Sequence, residues 1–307
     1  MSRAAAQPVH LVDASFFVFR AYYSVGIEMT DVDDEPVNAL YGFSRFLGDL
    51  LERARPAHVA VAFDESLSSS FRNEIFPAYK ANREPAPPDL KRQFALCREL
   101  CRHLGLAEFS SPTHEADDII GTIATRLRSR GHRAVLVTRD KDLAQLIRKG
   151  DAYWDWAAER RLEYADIEGH FGVRPERMAD FLALTGDSVD NIPGVPGVGP
   201  KTAMVLLREF ASLEEIYAGL GRVASLPIRG AGTLADKLRR HRDAAYLARR
   251  LTTIACDMPI DVSAAKLRRR RPDLGALGVF YDHARFDAML RQQAQRIEKG
   301  DAPIFRE

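Results

Sequence analysis

Asp13, Asp64, Glu115, Asp117, Asp140, Asp142 and Asp187 are the residues through which this chain could do chemistry. Asp13 and Asp64 each follow a short apolar run, residues 9–12 and 58–63. A third run, residues 133–138, leads almost directly into Asp140 and Asp142. Glu115, Asp117 and Asp118 crowd the head of an apolar helical stripe, and Asp187 and Asp190 follow Gly186. Carboxylates a few ångströms apart cannot all stay ionised unaided. Hard divalent cations relieve that repulsion, and Mg²⁺ and Mn²⁺ prefer oxygen ligands. Two such ions, roughly 3.5 to 4 Å apart, clamp an in-line phosphoryl displacement: one activates water and the other steadies the leaving oxygen. No His/Cys set competes for that role.

Each acidic motif also has a plainer reading. Acids at a helix start are favoured by the helix dipole, so Glu115, Asp117 and Asp118 could simply be caps, Asp118 most of all. On an ideal helix Glu115 and Asp117 point to nearly opposite sides, so joint metal binding requires Glu115 at or before the first turn. If residues 138–142 are extended, Asp140 and Asp142 face the same way, although Asp142 could equally cap a following helix. Asp187 and Asp190 beside a glycine fit a tight turn.

The elements that must position these groups are legible as periodicity. The three apolar runs are short and rich in β-branched residues, as strands buried on both faces are. Helical stripes lie between them at residues 40–51, 94–104 and 119–127. Strands alternating with helices predict an α/β domain, a mostly parallel sheet flanked by helices. In such sheets ligands bind beyond the carboxyl ends of the strands, where the acids fall. From about residue 174 strand-like runs stop and helices with Gly/Pro turns follow. The expected division is a tail at 1–8, an α/β domain at 9–173 and a helical domain at 174–307.

Composition permits this and excludes little. The chain has 307 residues, 46% of them hydrophobic, and a net charge of +1. Its three cysteines, Cys97, Cys101 and Cys256, read as core thiols in a reducing compartment. No apolar run is long enough for a membrane span and the start lacks a signal-peptide core. A soluble cytoplasmic monomer is expected, with no membrane partner.

Cations and glycines accompany the acids. Residues 71–83 contain Arg72, Tyr79, Lys80 and Arg83, placed to overhang the acidic edge and contact a phosphodiester, with Tyr79 a candidate to stack on a base. Arg20, with Tyr22 and Tyr23, is a weaker group of the same kind. In residues 195–203 Gly197 and Gly199 permit close backbone approach, Pro200 suits a first helical position, and Lys201 and Thr202 stand at the resulting anion-binding helix start. Gly-apolar-Gly before a helix resembles a helix–hairpin–helix, which grips a DNA backbone without reading sequence. The basic run 268–271 is read as a solvated loop or a further DNA contact.

Together these motifs resemble the 5′–3′ exonuclease and flap endonuclease family, in particular the 5′–3′ exonuclease domain of bacterial DNA polymerase I. The carrying segments, in family order over roughly 9–290, are Leu-Val-Asp13, Arg20-Ala-Tyr-Tyr, Phe63-Asp64, Phe71-Arg72-Asn-Glu, Tyr79-Lys80-Ala-Asn-Arg83, Glu115-Ala-Asp117-Asp118, Asp140-Lys-Asp142 and the stretch from Gly186-Asp187 through Asp190 to Gly199. The resemblance implies a PIN-like nuclease domain joined to a helix–hairpin–helix domain. It implies a two-metal site, with Asp13, Asp64, Glu115 and Asp117 around one ion and Asp117, Asp140, Asp142 and Asp187 around the other. Asp118 and Asp190 would be close by or bound through water. Lys80 and Arg83, with Asp64 and Asp140, would carry catalysis, Lys80 and Arg83 from a helical arch at 67–89. Potassium would sit in the hairpin on the main chain of Leu184, Thr185, Pro193, Val195 and Val198. The implied substrate is DNA with 5′ ends, flaps or nicks, with a DNA polymerase or ligase as companion. Two positions depart from the family pattern, Ala14 for a common glycine and Arg139 for a common small residue. A non-catalytic DNA-binding protein and a ribonuclease of the same scaffold are the rival readings; the intact acids speak against the first and the hairpin against the second.

Overall fold

The computed structural model describes residues 7–300 apart from 25, 27, 66–68 and 229. Most of the expected tail, the first arch residues and the last seven residues therefore lie outside the described residues.

The predicted strands form where expected, as β1 (Val9–Asp13), β2 (His58–Asp64) and β4 (Ala134–Val137). Three more complete the sheet: β3 (Ala107–Ser111), β5 (Ala152–Asp155) and β6 (Arg160–Glu163). The order is β3-β2-β1-β4-β5-β6. All pairings are parallel except β5 with β6. The three unpredicted strands lie toward the sheet margins. β3 reads Ala-Glu-Phe-Ser-Ser and is half-buried throughout, and β6 exposes all but Leu162; neither carries the continuous apolar run of a central strand.

β1 occupies the switch point, because the chain goes to β2 on one side of it and later to β4 on the other. A crevice opens at such a point beyond the strands' carboxyl ends. One face of the sheet is covered by the helices Asn38–Ala54 and Pro88–His103, and the other by Ala116–Arg128. The second core continues without a break into the helical region, through Leu182, Leu206 and Leu251.

Part of the C-terminal region packs on the sheet. The helices Leu274–His283 and Ala288–Lys299 return to the first face of the sheet, burying Leu277, Leu290, Ala294 and Ile297 among its core residues. Gln293 donates to Asp49 at 3.1 Å and to Glu52 at 2.9 Å on the helix Asn38–Ala54. The arch is less helical than expected. Among its described residues the regular pieces are Phe71–Ile75, followed by turns to residue 83, and the first residues of the helix Pro88–His103.

Residues 254–258 run across the helix Ala116–Arg128 at Gly121. A Cβ there would meet Ile254 Cγ2 at 2.7 Å, Cys256 Sγ at 3.0 Å and Ala255 O at 3.1 Å. Gly121→Val is therefore expected to overpack this seam and cost about 1 to 3 kcal/mol. Urea unfolding measures it, and an unchanged midpoint would show that the seam yields freely.

Candidate active site

The carboxyl ends of β1, β2 and β4 deliver Asp13, Asp64 and the Thr138–Asp142 segment to one cleft of ≈ 430 Å³. Glu115, Asp117, Asp187 and Asp190 line the same cleft. Local bonds aim each group. Asp13 accepts from Phe16 N at 3.3 Å and from the Thr138 hydroxyl at 2.9 Å. Asp64 accepts from Ala116 N at 2.7 Å, and its own N–H donates to Ser15 Oγ at 2.9 Å. Glu115 stands at the N-cap of Ala116–Arg128, the position that joint metal binding requires.

The segment after β4 is not extended. Asp140 caps a short 3₁₀ helix, Lys141–Leu146, and accepts from Asp142 N at 2.8 Å. The cap brings both acids into the cleft by a different route from the strand alternation expected, and Asp140, not Asp142, is the capping residue. Asp142 Oδ1 is buried without a hydrogen-bond partner. The tight turn at Asp187 is present: its carboxylate accepts from Val189 N at 2.8 Å and Asp190 N at 3.3 Å.

Three expected roles are corrected. Asp118 is fully buried and points away from the cleft into an ion pair with Arg72, Nη1 at 2.7 Å and Nη2 at 2.8 Å. It also accepts from Glu115 N and Ala255 N. Its oxygens are spent on these bonds, so it is not a metal ligand here. Arg72, expected at a phosphate, is 3% exposed. Its remaining N–H groups donate to Leu251 O at 2.8 Å and Thr253 O at 3.1 Å. The pair ties the arch base, the head of the acidic helix and the helix Arg242–Thr252 together. Tyr79 is likewise no stacking platform. Its ring is buried and its hydroxyl faces Glu115 at 3.1 Å and Asp190 at 3.2 Å.

Lys80 and Arg83 do overhang the acids. Lys80 Nζ lies 2.8 Å from Glu115 and 3.8 Å from Asp190, and Arg83 pairs with Asp190. Lys80 and Asn191 both adopt left-handed backbone, φ 55° and 56°. They meet where Lys80 N donates to Asp190 O at 3.0 Å and Asn191 Nδ2 to Ala78 O at 2.7 Å. Arg20 is exposed on the helix Ala14–Ser24, one residue past Phe19 of the cleft wall.

Sequence reasoning missed Lys141, whose Nζ bonds Asp187 at 3.0 Å, and Thr138, which braces Asp13 and accepts from Asp140 N. Both lie within residues 138–142, but nothing in their spacing distinguished them. It also missed Lys237, whose Nζ lies 3.1 Å from where a Cβ on Gly197 would stand. In the hairpin, Gly197 has φ 81°, Gly199 caps the helix Pro200–Glu209, Lys201 is exposed and Thr202 half-buried. Arg139 is at the cleft mouth, 59% exposed and 3.7 Å from Asp155.

The family profile described as 5′-3′ exonuclease, N-terminal resolvase-like domain, matches residues 8–172, and that described as 5′-3′ exonuclease, C-terminal SAM fold, matches 173–274. The chain belongs to the 5′–3′ exonuclease family. This exonuclease is 35% identical to a 5′-3′ exonuclease of Buchnera aphidicola subsp. Baizongia pistaciae, over 90% of this chain and 91% of that one. It is 39% identical to DNA polymerase I of Pseudomonas aeruginosa over 96% of its own length but only 33% of that protein's. Its fold is that of bacteriophage T5 5′-exonuclease solved with bound zinc, at 20% identity, 95% and 99% coverage and TM-score 0.64. The catalytic core of Rad2 in complex with DNA substrate is also similar, at 16% identity, 95% and 92% coverage and TM-score 0.63. The exonuclease is a hydrolase of the nuclease class.

In the exonuclease the acids raise one another's pKa. Loss of water raises Asp13 to about 7, helped by Asp64 and Asp140. The same cause, with neighbouring acids, raises Asp64, Asp117, Asp140 and Asp142, and Asp117 is repelled by four others. Asp187 moves the other way, because Lys141 and two backbone N–H groups outweigh its partial burial.

Two predictions follow from this geometry. A carboxyl whose folded pKa is raised holds its proton longer than in the unfolded chain, so its contribution to stability declines as pH rises from about 4 to about 7. In chelating buffer the unfolding midpoint should fall between pH 5 and pH 8, and Asp117→Asn should flatten that slope; an unchanged slope in the variant would refute the mutual repulsion. Separately, Arg72→Met or Asp118→Leu alone strands a buried charge and should cost about 3 to 5 kcal/mol, whereas the double variant should recover most of the loss. Additive losses in a double-mutant cycle would rule the pair out as a unit.

Proposed function

We propose that this exonuclease hydrolyses DNA phosphodiesters near 5′ ends, as a 5′–3′ exonuclease and as a nuclease of 5′ flaps, with two Mg²⁺ or Mn²⁺ ions. The observation that carries this is the meeting of Asp13, Asp64, Glu115, Asp117, Asp140, Asp142 and Asp187 in one cleft, with Asp142 Oδ1 unsatisfied. An all-oxygen donor set whose protonation rises from crowding suits hard cations. Asp13, Asp64, Glu115 and Asp117 would hold one ion, and Asp117, Asp140, Asp142 and Asp187 the other, with Asp190 nearby. When bound, the ions would supply Lewis acidity and lower the pKa of water.

The protein's own groups do the rest. Glu115 and Asp190 now hold Lys80 and Arg83 beside the cleft. Once the acids are otherwise neutralised, those cations can turn to the scissile phosphate and stabilise the charge that develops there. Lys141, similarly parked on Asp187, is placed to do the same. Gly197, Gly199, Lys201 and Thr202, with Lys237, would grip the duplex backbone, which positions without specifying sequence. Potassium is proposed for the carbonyls of Leu184, Thr185, Pro193, Val195 and Val198. Backbone there is closely packed, since a Cβ on Gly194 would lie 2.3 Å from Thr185 C. Leu184 O and Val195 O each accept one backbone bond, leaving a lone pair for an ion. The likeness of Pseudomonas DNA polymerase I and the T5 flap endonuclease solved with DNA and metal ions supports DNA as substrate. A cytoplasmic monomer working beside a DNA polymerase or ligase fits this reading. No helix among the described residues is long and apolar enough to cross a membrane.

Asp64→Asn and Asp140→Asn should bind a 5′-labelled flap with near wild-type affinity but cleave it at least about 100-fold more slowly, the scale of losing a charge-stabilising group. Wild-type rates in Mg²⁺ would sink the metal assignment. A labelled single-stranded RNA in the same gel decides against the ribonuclease reading if it stays intact.

A further inference from the structure

The strands that end at the acidic cleft begin at the opposite edge of the sheet, and that edge is basic. Arg55 precedes β2, Arg133 precedes β4 and Lys149 precedes β5. Across the starts of β3 and β2 runs residues 268–271 as a strap. Arg269 N donates to Ala57 O at 2.9 Å, Arg270 N donates to Gly105 O at 2.9 Å, and Arg268 bridges to His58. The strap is closely seated: a Cβ on Gly105, φ 73°, would lie 2.6 Å from Arg270 O.

Arg55, Arg133, Lys149, Arg268 and Arg270 are exposed, and among the described residues none forms an ion pair. Arg271, 88% exposed, reaches Glu298 only at 3.8 Å. The acids nearby are already engaged. Asp151 is buried against Arg128, Asp261 pairs with Lys266, and Asp273 caps the helix Leu274–His283. On this edge the positive charge of those five side chains therefore stands without an acid paired to it.

We propose that the basic edge is a second DNA-binding surface, which takes the backbone of a duplex segment other than the one held at the cleft. Phosphate fits the residue types, because guanidinium presents a planar donor fork to it. An acidic protein partner fits less well. A stable protein interface needs an apolar centre, and none of the exposed large hydrophobic residues among those described, such as Val189, Leu274 or Val279, lies in these turns. Single-stranded DNA fits less well too, since the turns carry no Phe, Tyr or Trp for bases to stack on. Strands are about 4.8 Å apart, so the row from β3 to β5 is roughly 19 Å long, enough for several phosphates. It lies roughly 20 Å from Asp64 along β2, too far to touch the nucleotide being cut. This inference rests on DNA as the substrate, but its test reads binding without cleavage.

The experiment compares wild type with Arg133→Gln/Arg268→Gln/Arg270→Gln for binding to closed circular duplex, in chelator, over a salt series. Loss of three phosphate contacts should lower the slope of log K against log salt by about 2.7. Cleavage of a flap hairpin with arms too short to reach the edge should keep its kcat/KM. A control of equal net charge, Arg45→Gln/Arg285→Gln/Arg291→Gln, should keep the wild-type slope. Equal slopes in wild type and the edge variant would overturn the proposal, as would an equal drop in the control. A loss confined to polyglutamate, with duplex binding intact, would overturn it in favour of an acidic protein partner. Wild type failing to bind duplex at all would strike the DNA reading itself, and flap cleavage reveals that case separately.

Discussion

The repulsion among the cleft carboxylates is the constraint on which the rest of the molecule depends. Asp13 and Asp64 end adjacent central strands, and Asp140 follows a third; the parallel sheet leaves them no means of moving apart. The cost is borne locally. Lys80, Arg83 and Lys141 lie on Glu115, Asp190 and Asp187, and Thr138 and backbone amides bond the others. The basic groups proposed to serve a phosphate thus make the cleft tolerable by pairing with its acids.

That burden explains why the site is anchored so far from itself. The Arg72–Asp118 pair sits beneath the acids and gathers carbonyls from the end of a C-terminal helix. A buried charge pair of this kind contributes little net stability but is costly to break from one side. Its effect is to tie the arch base, the acidic helix and the helix Arg242–Thr252 to one another.

Much of this was legible in the sequence, for identifiable reasons. Central strands announce themselves by continuous apolar runs, so β1, β2 and β4 were visible, and with them the edge where the acids collect. β3 and β6 were not, because Ala-Glu-Phe-Ser-Ser and Arg-Arg-Leu-Glu are short and mostly polar and look like loops. The acids were found by type, but type alone does not show direction. Asp117 and Asp118 are adjacent acids on one helix, yet one turns to the cleft and the other to Arg72. Arg72 and Tyr79 misled for the same reason: a charged or aromatic residue beside a site reads as a ligand contact until its burial is known. The return of the last two helices to the sheet was invisible because an amphipathic helix does not declare which surface it covers.

The left-handed backbone at Lys80 has a consequence for how this position can change over time. Lysine is held there by an enclosing set of contacts, and left-handed backbone disfavours β-branched side chains. The position is therefore constrained twice, once by charge and once by shape. Drift toward threonine, isoleucine or valine would strain the backbone as well as remove the charge, whereas asparagine or glycine would keep the bend and lose only the charge. An inactive descendant of this protein would be expected to show that second kind of replacement, keeping the turn's geometry after its purpose had gone.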